Sequence, residues 1–147
     1  MDNIIYVSLK KENVTQLSEL IRLFERAFEI SDHENVPTEH LAGLLSKPDF
    51  LVLVALDGDN VSGGLTGHVL PQYYTQAPQF YLYDIAVDEP YRRRGIASGL
   101  LQALTSLCQE RGYECFYVQA DADDDDAVAF YRSTSAKEQA VFHYTFE

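Results

Sequence analysis

Tyr81-Leu82-Tyr83-Asp84-Ile85-Ala86-Val87-Asp88-Glu89-Pro90-Tyr91-Arg92-Arg93-Arg94-Gly95-Ile96-Ala97-Ser98-Gly99-Leu100-Leu101 is the stretch around which the chain is organised. It reads as a strand, a sharp basic turn and the start of a helix. Phe80 to Val87 is apolar and aromatic with a β-branched end, and Asp88-Glu89-Pro90 stops it. From Gly95 onward, Ile96, Leu100, Leu101, Leu104 and Leu107-Cys108 recur at helical spacing.

A helix start leaves backbone N–H groups without partners and carries partial positive charge, so it is suited to an anion. Gly95 lets a ligand approach the backbone where a Cβ would collide, and Ala97 is nearly as small. Arg92, Arg93 and Arg94 add charge and forked donors for phosphate. Together these describe a pyrophosphate cradle. The Gly-x4-Gly-Lys-Ser/Thr pattern of nucleotide hydrolases is missing.

Arg92-Arg93-Arg94-Gly95-Ile96-Ala97 resembles the Gln/Arg-x-x-Gly-x-Gly/Ala acetyl-CoA motif of the GNAT N-acetyltransferases. Its setting strengthens the match. It follows a Tyr-Asp-Ile-Ala-Val strand and precedes Asp124-Asp125-Asp126-Ala127-Val128-Ala129-Phe130-Tyr131, which resembles that family's Asn-x-x-Ala-x-x-Phe/Leu-Tyr segment. Asp124 stands where the family commonly has Asn, and Arg132-Ser133-Thr134-Ser135 where a Leu-Gly pair commonly follows the Tyr. Tyr83 to Val87, Tyr117-Val118-Gln119-Ala120-Asp121 and the acidic run further resemble the small aminoglycoside 3-N-acetyltransferases.

Outward from this centre, Asn3 to Leu9 reads as a first strand. Asn13 is a candidate cap for a helix to about Glu29, with Val14, Leu17, Leu20, Ile21, Phe24, Ala27 and Phe28 on one face. Thr38 is a candidate cap for a shorter helix ended by Lys47-Pro48. Phe50 to Leu56 is an almost unbroken apolar run, suited to a strand covered on both faces. Asp57-Gly58-Asp59-Asn60 turns it into a return strand over Val61 to Leu70, where Gly63, Gly64 and Gly67 suggest a bulge or close backbone contact. The central helix ends near Glu110 with Gly112 as its cap. Cys115 to Ala120 is a strand, Asp124 or Asp125 caps a last helix, and Gln139 to Phe146 alternates as a final strand. The order β-α-α-β-β-β-α-β-α-β predicts a mixed α/β fold, a twisted, mostly antiparallel sheet with helices on both faces. At 147 residues, 1–147 is expected to form one domain.

The formal net charge is −12, with a pI near 4.6. Such a surface disfavours nucleic acid and anionic membranes and favours cations. No apolar run is long enough for a bilayer span and no secretory signal is visible, so a cytoplasmic protein is expected. Cys108 and Cys115 are expected as buried free thiols. His33, His40, His68 and His143 show no ligand spacing with them, so no metal is expected.

Asp84 is the candidate base. An amine is protonated at neutral pH and must lose a proton before attacking a thioester, and burial can raise a carboxylate toward the working range. An Asp inside a strand is unfavourable on propensity, so a functional role or a structural partner, an Arg or a backbone donor, must offset the cost. The resemblance implies acetyl-CoA as cosubstrate. It gives Ile85, Ala86 and Val87 backbone bonds to the pantetheine arm, and places Asp124 and Tyr131 near the cosubstrate with Tyr131 as acid to the leaving thiolate. It also marks Glu29, Asp32, Glu34 and Glu39 as candidate acceptor contacts. A polycationic acceptor would be held by Asp84, Asp121, Asp124 and Asp125, within a run that also includes Asp123 and Asp126. Within Asp121 and Asp123 to Asp126, Asp124 or Asp125 is equally readable as a helix cap and the rest as solvated charge. The favoured function is acetyl transfer to a cationic small-molecule amine, most closely an aminoglycoside. The rivals are a polyamine, a peptide or protein amine, or a non-catalytic acyl-CoA-binding module. The apolar last strand permits a homodimer.

Overall fold

The computed structural model describes residues 3–31, 33 and 35–147. Five strands form one sheet in sequence order: β1 (Ile4–Ser8), β2 (Phe50–Asp57), β3 (Asn60–Leu70), β4 (Gln79–Val87) and β5 (Cys115–Val118). The first four are antiparallel to their neighbours, and β5 is parallel to β4. Helices α1 (Val14–Ala27) and α2 (Thr38–Leu45) cover one face. Helix α3 (Ile96–Arg111) covers the other. Helix α4 (Asp125–Arg132) follows β5. This is the mixed α/β, mostly antiparallel arrangement expected from the element order.

The unbroken apolar run of β2 is explained by this sandwich. Val52 and Val54 face α1 and α2, while Leu51, Leu53 and Ala55 face α3. Leu20 of α1 and Leu100 of α3 are fully buried, each worth about 1.5–3 kcal/mol of transfer free energy. The small residues set how closely the layers approach. A Cβ on Gly64 would lie 2.7 Å from a Leu20 methyl and 2.8 Å from the Leu53 carbonyl oxygen. One on Gly99 would collide with the Tyr6 ring.

Two register shifts shape the end of the sheet that carries the central loop. Opposite β2, Ser62 is the extra residue, and its hydroxyl donates to the Ala55 carbonyl at 2.9 Å. Its own carbonyl accepts the Asp88 N–H at 2.8 Å, anchoring the chain as it leaves β4. In the β3–β4 pair, Thr66 faces Asp84 and Gly67 faces Leu82, so Tyr83 is the extra residue. Phe80 and Leu82 pack toward α3, and after the bulge so do Ile85 and Val87.

Four local expectations are corrected. The Asn13 side chain does not cap α1; its Oδ1 accepts the Lys10 N–H at 2.9 Å, closing the short 3-10 turn that precedes the helix. Thr38 lies inside α2, with Pro37 in the cap position and fixing the extended entry. Cys115 is exposed, because β5 turns it and Tyr117 away from α3. Cys108 is buried, and burial pushes its thiol up to about 11. The fourth correction is the largest: Gln139 to Phe146 is exposed and forms no strand. A strand needs a neighbouring edge to satisfy its backbone, and among the described residues no strand pairs with this segment. Among the described residues, no helix is long and apolar enough to cross a membrane.

Candidate active site

Pairing between β4 and β5 ends at Leu82 opposite Val118. Beyond that point Asp84 to Val87 remain paired with β3 on one side only, and the pairing of the two parallel strands stops. An edge with unpaired N–H and C=O groups is a template for an extended ligand. Ile85, Ala86 and Val87 line it. The Val87 carbonyl, however, already accepts from Arg92 Nε at 3.0 Å.

Asp84 sits at the mouth of this gap. The bulge at Tyr83 gives it the parity of Ala86, which packs on the α1/α2 side. It is half-buried, and burial raises its carboxyl above the ordinary aspartate value. Among the described residues it makes no ion pair and no side-chain hydrogen bond, so the structural pairing that would have explained an Asp here is not what the fold provides.

The loop after β4 is tied down at several points. Asp88 caps the Glu89–Tyr91 turn by accepting the Glu89 N–H at 3.2 Å, and also pairs with Arg26 of α1 at 3.2 Å. The Tyr91 hydroxyl donates to Asp57 at 2.8 Å. The Arg94 guanidinium lies over the Tyr91 ring at 5.4 Å. The three arginines therefore differ in role. Arg92 holds a carbonyl, Arg94 stacks, and Arg93 is exposed with its backbone in the left-handed region at φ 65°.

Gly95 occupies the cap position of α3 at φ 78°, a conformation that favours glycine, and nothing lies within 4 Å of where its Cβ would be. The first helical bond runs from the Gly99 N–H to the Gly95 carbonyl. The N–H groups of Gly95, Ile96, Ala97 and Ser98 thus precede the helical ladder, and no side chain caps them. The Ile96 side chain is buried against the sheet, which fixes the helix start and leaves its backbone facing the open space. These residues fit a diphosphate.

Asp124 caps α4 by accepting the Ala127 N–H at 3.2 Å. Tyr131 is partly buried, and burial followed by the Asp124 charge pushes its phenol up to about 12. No hydrogen bond joins Tyr131 to Asp84 among the described residues. Asp121, Asp123, Asp124, Asp125 and Asp126 are all exposed, as are Glu29 and Glu39. Asp32 and Glu34 lie outside the described residues. Among the described residues, no three His, Cys, Asp or Glu side chains gather to hold a metal ion.

One feature escaped the sequence reading. On the face away from α3, Phe50, His68, Tyr83, Tyr81 and Tyr117 form a row of rings across β2 to β5, with neighbouring centroids 5.0–6.0 Å apart. The Tyr81 hydroxyl donates to Gln119 at 3.0 Å. The i, i+2 spacing of Tyr81 and Tyr83 was the available signal, but their alignment with His68 and Tyr117 depends on register. A hollow of about 330 Å³, lined by Arg26, Ala27, Asp88, Glu89, Pro90 and Arg92, flanks the loop; Asp84 is not among its lining residues.

A model of the acetyltransferase (GNAT) family matches residues 17–134. The chain belongs to the GNAT acetyltransferases. Among solved structures, an aminoglycoside acetyltransferase from an uncultured soil metagenomic sample, in complex with trehalose, shares 42% identity. The match covers 98% of this chain and 97% of that one, with a TM-score of 0.92. The same protein has been solved in complex with sisomicin. A second aminoglycoside acetyltransferase from a soil metagenomic sample shares 28% identity over 99% of this chain and 98% of that one, at a TM-score of 0.92. The [ribosomal protein bS18]-alanine N-acetyltransferase of Escherichia coli is 32% identical over 60 residues. That match spans 41% of this GNAT chain and 40% of the relative.

Proposed function

We propose that this GNAT protein transfers an acetyl group from acetyl-CoA to a primary amine of a polycationic small molecule, with aminoglycosides as the acceptor class. The observation that carries the reading is Asp84: a half-buried carboxylate without an ion-pair partner among the described residues, at the point where the pairing of β4 with β5 stops. The likeness to aminoglycoside acetyltransferases over 98% of the chain supports the acceptor class. The net charge of −12 supports a cationic guest and argues against polyanionic partners.

In this reading the diphosphate of acetyl-CoA binds the N–H groups from Gly95 to Ser98, with Arg93 adding charge. The pantetheine arm lies along Ile85 and Ala86. Asp84 accepts one proton from the acceptor ammonium, directly or through one water. The freed amine attacks the thioester carbonyl carbon while a backbone N–H of the parted strand bonds the developing oxyanion. The C–S bond then breaks, forming the amide. Of the two protons the ammonium gives up, one ends on the thiol of CoA and one in solvent. Tyr131, with its phenol at about 12, is a poor donor of a whole proton to a thiolate whose acid has a pKa of about 8.5. Its role is to hydrogen-bond the departing sulfur, and water completes the protonation. Asp121, Asp124 and Asp125 attract and orient the other ammonium groups.

A second reading, acetylation of a peptide or protein amine, is favoured by the match to the bS18-alanine acetyltransferase over 60 residues. A panel of aminoglycosides, polyamines and N-terminal peptides incubated with acetyl-CoA and read by mass separates the two. A single acetyl increment confined to aminoglycosides supports the first reading. Modification of peptides alone moves the acceptor class to the second, and tight acetyl-CoA binding without any modified amine removes the enzymatic assignment.

A further inference from the structure

We infer that Tyr83, Tyr81 and Tyr117 form an aromatic floor for the acceptor: one six-membered ring of an aminated saccharide lies with its C–H face on the tyrosines and an ammonium group at Asp84. This role rests on the acetyl-transfer reading above and adds to it the means of telling a saccharide from a linear polyamine of equal charge.

The floor exists because of the bulge in β4. Side chains of a regular strand alternate between faces, so consecutive residues do not share one. The extra residue at Tyr83 breaks the alternation, and Tyr83 and Asp84 emerge on the same face, away from α3. A tyrosine thus stands beside the carboxylate in sequence and in space. Tyr81 lies two residues back along β4, and Tyr117 faces Tyr81 across the parallel pair. The Tyr81 and Tyr117 rings stack at 5.0 Å, and Tyr83 meets Tyr81 edge-on at 5.9 Å.

These rings are not core residues that happen to reach the surface. Helices α1 and α2 cover the same face at Val52, Val54 and Ala86, and neither core cluster includes Tyr81, Tyr83 or Tyr117. Tyr83 and Tyr117 are 58% and 38% exposed. An uncovered sheet face ordinarily carries polar and charged side chains. Among the described residues, the Tyr83 and Tyr117 hydroxyls make no hydrogen bond, whereas the Tyr81 hydroxyl donates to Gln119 at 3.0 Å and fixes the middle ring. Contiguous rings with a few polar groups converging on them suit a ligand surface.

Chemistry selects the occupant. The face of a phenol ring carries partial negative charge and attracts cations and polarised C–H groups. In an aminated sugar or cyclitol, the ring C–H bonds beside ammonium and hydroxyl groups are polarised positive and project from a flat face. A linear polyamine has the charge without the face. Asp84 belongs to the same surface, since its charge is felt at the middle ring: burial first, then Tyr117, Tyr83 and Asp84, raise the Tyr81 phenol above its ordinary value. Tyr81 therefore stays a neutral phenol and leaves the charge to Asp84. The net charge of −12 draws a polycation toward this face and repels an acidic guest.

The test uses the full chain saturated with CoA, which prevents turnover. Kanamycin, a tetra-amine built of linked rings, and spermine, a linear tetra-amine, are titrated in separately and followed by proton NMR and calorimetry. Kanamycin ring protons should move upfield on binding, the signature of an aromatic face beneath them. Tyr83→Leu and Tyr117→Leu keep apolar bulk and remove a ring. Each should weaken kanamycin by about tenfold and spermine by less than about threefold. Tyr83→Phe should keep the upfield shift. If a Leu variant does not fold, the wild-type shifts decide alone. Unmoved ring protons, or equal losses for kanamycin and spermine, would overturn the floor. The two readings fail separately. Kanamycin bound with shifted protons but never acetylated from acetyl-CoA removes the transfer and leaves the floor. Kanamycin acetylated but bound with unmoved protons removes only the floor, and kanamycin that does not bind removes both.

Discussion

Replacing Asp84 by Asn tests two consequences of one carboxylate at once. The substitution keeps size and shape and removes the negative charge. The cross-strand neighbour is Thr66, whose hydroxyl is no base at neutral pH, and no other group is bonded to Asp84 among the described residues. The full general-base contribution should therefore be lost, a fall in kcat of about 10²–10⁴, or roughly 3–5 kcal/mol of barrier. The variant should recover as pH rises, because solution then supplies the free amine that Asp84 no longer generates. Stability should move the other way. Burial holds the folded carboxyl above its unfolded value, so the folded state binds the extra proton in the window between the two. Stability then falls as pH rises through that window, and at neutral pH the charged Asp84 is a burden. Asp84→Asn should melt higher than wild type at pH 7, and the difference should vanish below the ordinary aspartate range. Steady-state kinetics on an aminoglycoside from pH 5 to 9, with thermal melts at pH 3 and 7, read both effects. Turnover within twofold of wild type at pH 7 would refute the base assignment. Lost activity with no gain in stability would refute the burial argument.

The other predictions concern the rest of the site. Gly95→Ala keeps open space around the new methyl but forces a left-handed residue, so stability should drop by about 1–2 kcal/mol in denaturant titrations. Its KM for acetyl-CoA should rise as well, since the methyl fills the approach to the helix N-terminus. Tyr131→Phe should lower kcat by about 10–10²-fold without moving the acidic limb of the pH profile. With the phenol at about 12, wild type should show no Tyr131 limb below about pH 11. Asp124→Asn keeps a good helix cap and removes one charge, so α4 should stay intact by circular dichroism while KM for a polycationic acceptor rises. That increase should shrink as salt is added.

The strand, loop and helix around Arg92 to Ala97 were legible because each boundary has a local cause. A β-branched run ends at Asp-Glu-Pro, and a glycine precedes a helical repeat. The GNAT resemblance rested on the same residues. Other features were not local. The bulge that turns Asp84 toward the α1/α2 side exists only in the pairing of β3 with β4, where Tyr83 has no partner. The arginine cluster reads as three equivalent phosphate ligands, but Val87 and Tyr91 occupy two of them once the loop closes. Asn13 and Thr38 have capping chemistry, yet a preceding turn and Pro37 take the positions they were expected to fill. The pattern over Gln139 to Phe146 records β-propensity, but propensity alone supplies no neighbouring strand, and the segment stays unpaired among the described residues.

Acetyl-CoA titrated into isotope-labelled protein and followed by amide NMR tests the site most directly. The largest shifts are expected at Gly95 to Ser98 and at Ile85 and Ala86, saturating together with one affinity. Shifts concentrated elsewhere, with the N-terminus of α3 unmoved, would contradict the assignment of the cosubstrate site and with it the role given to Asp84.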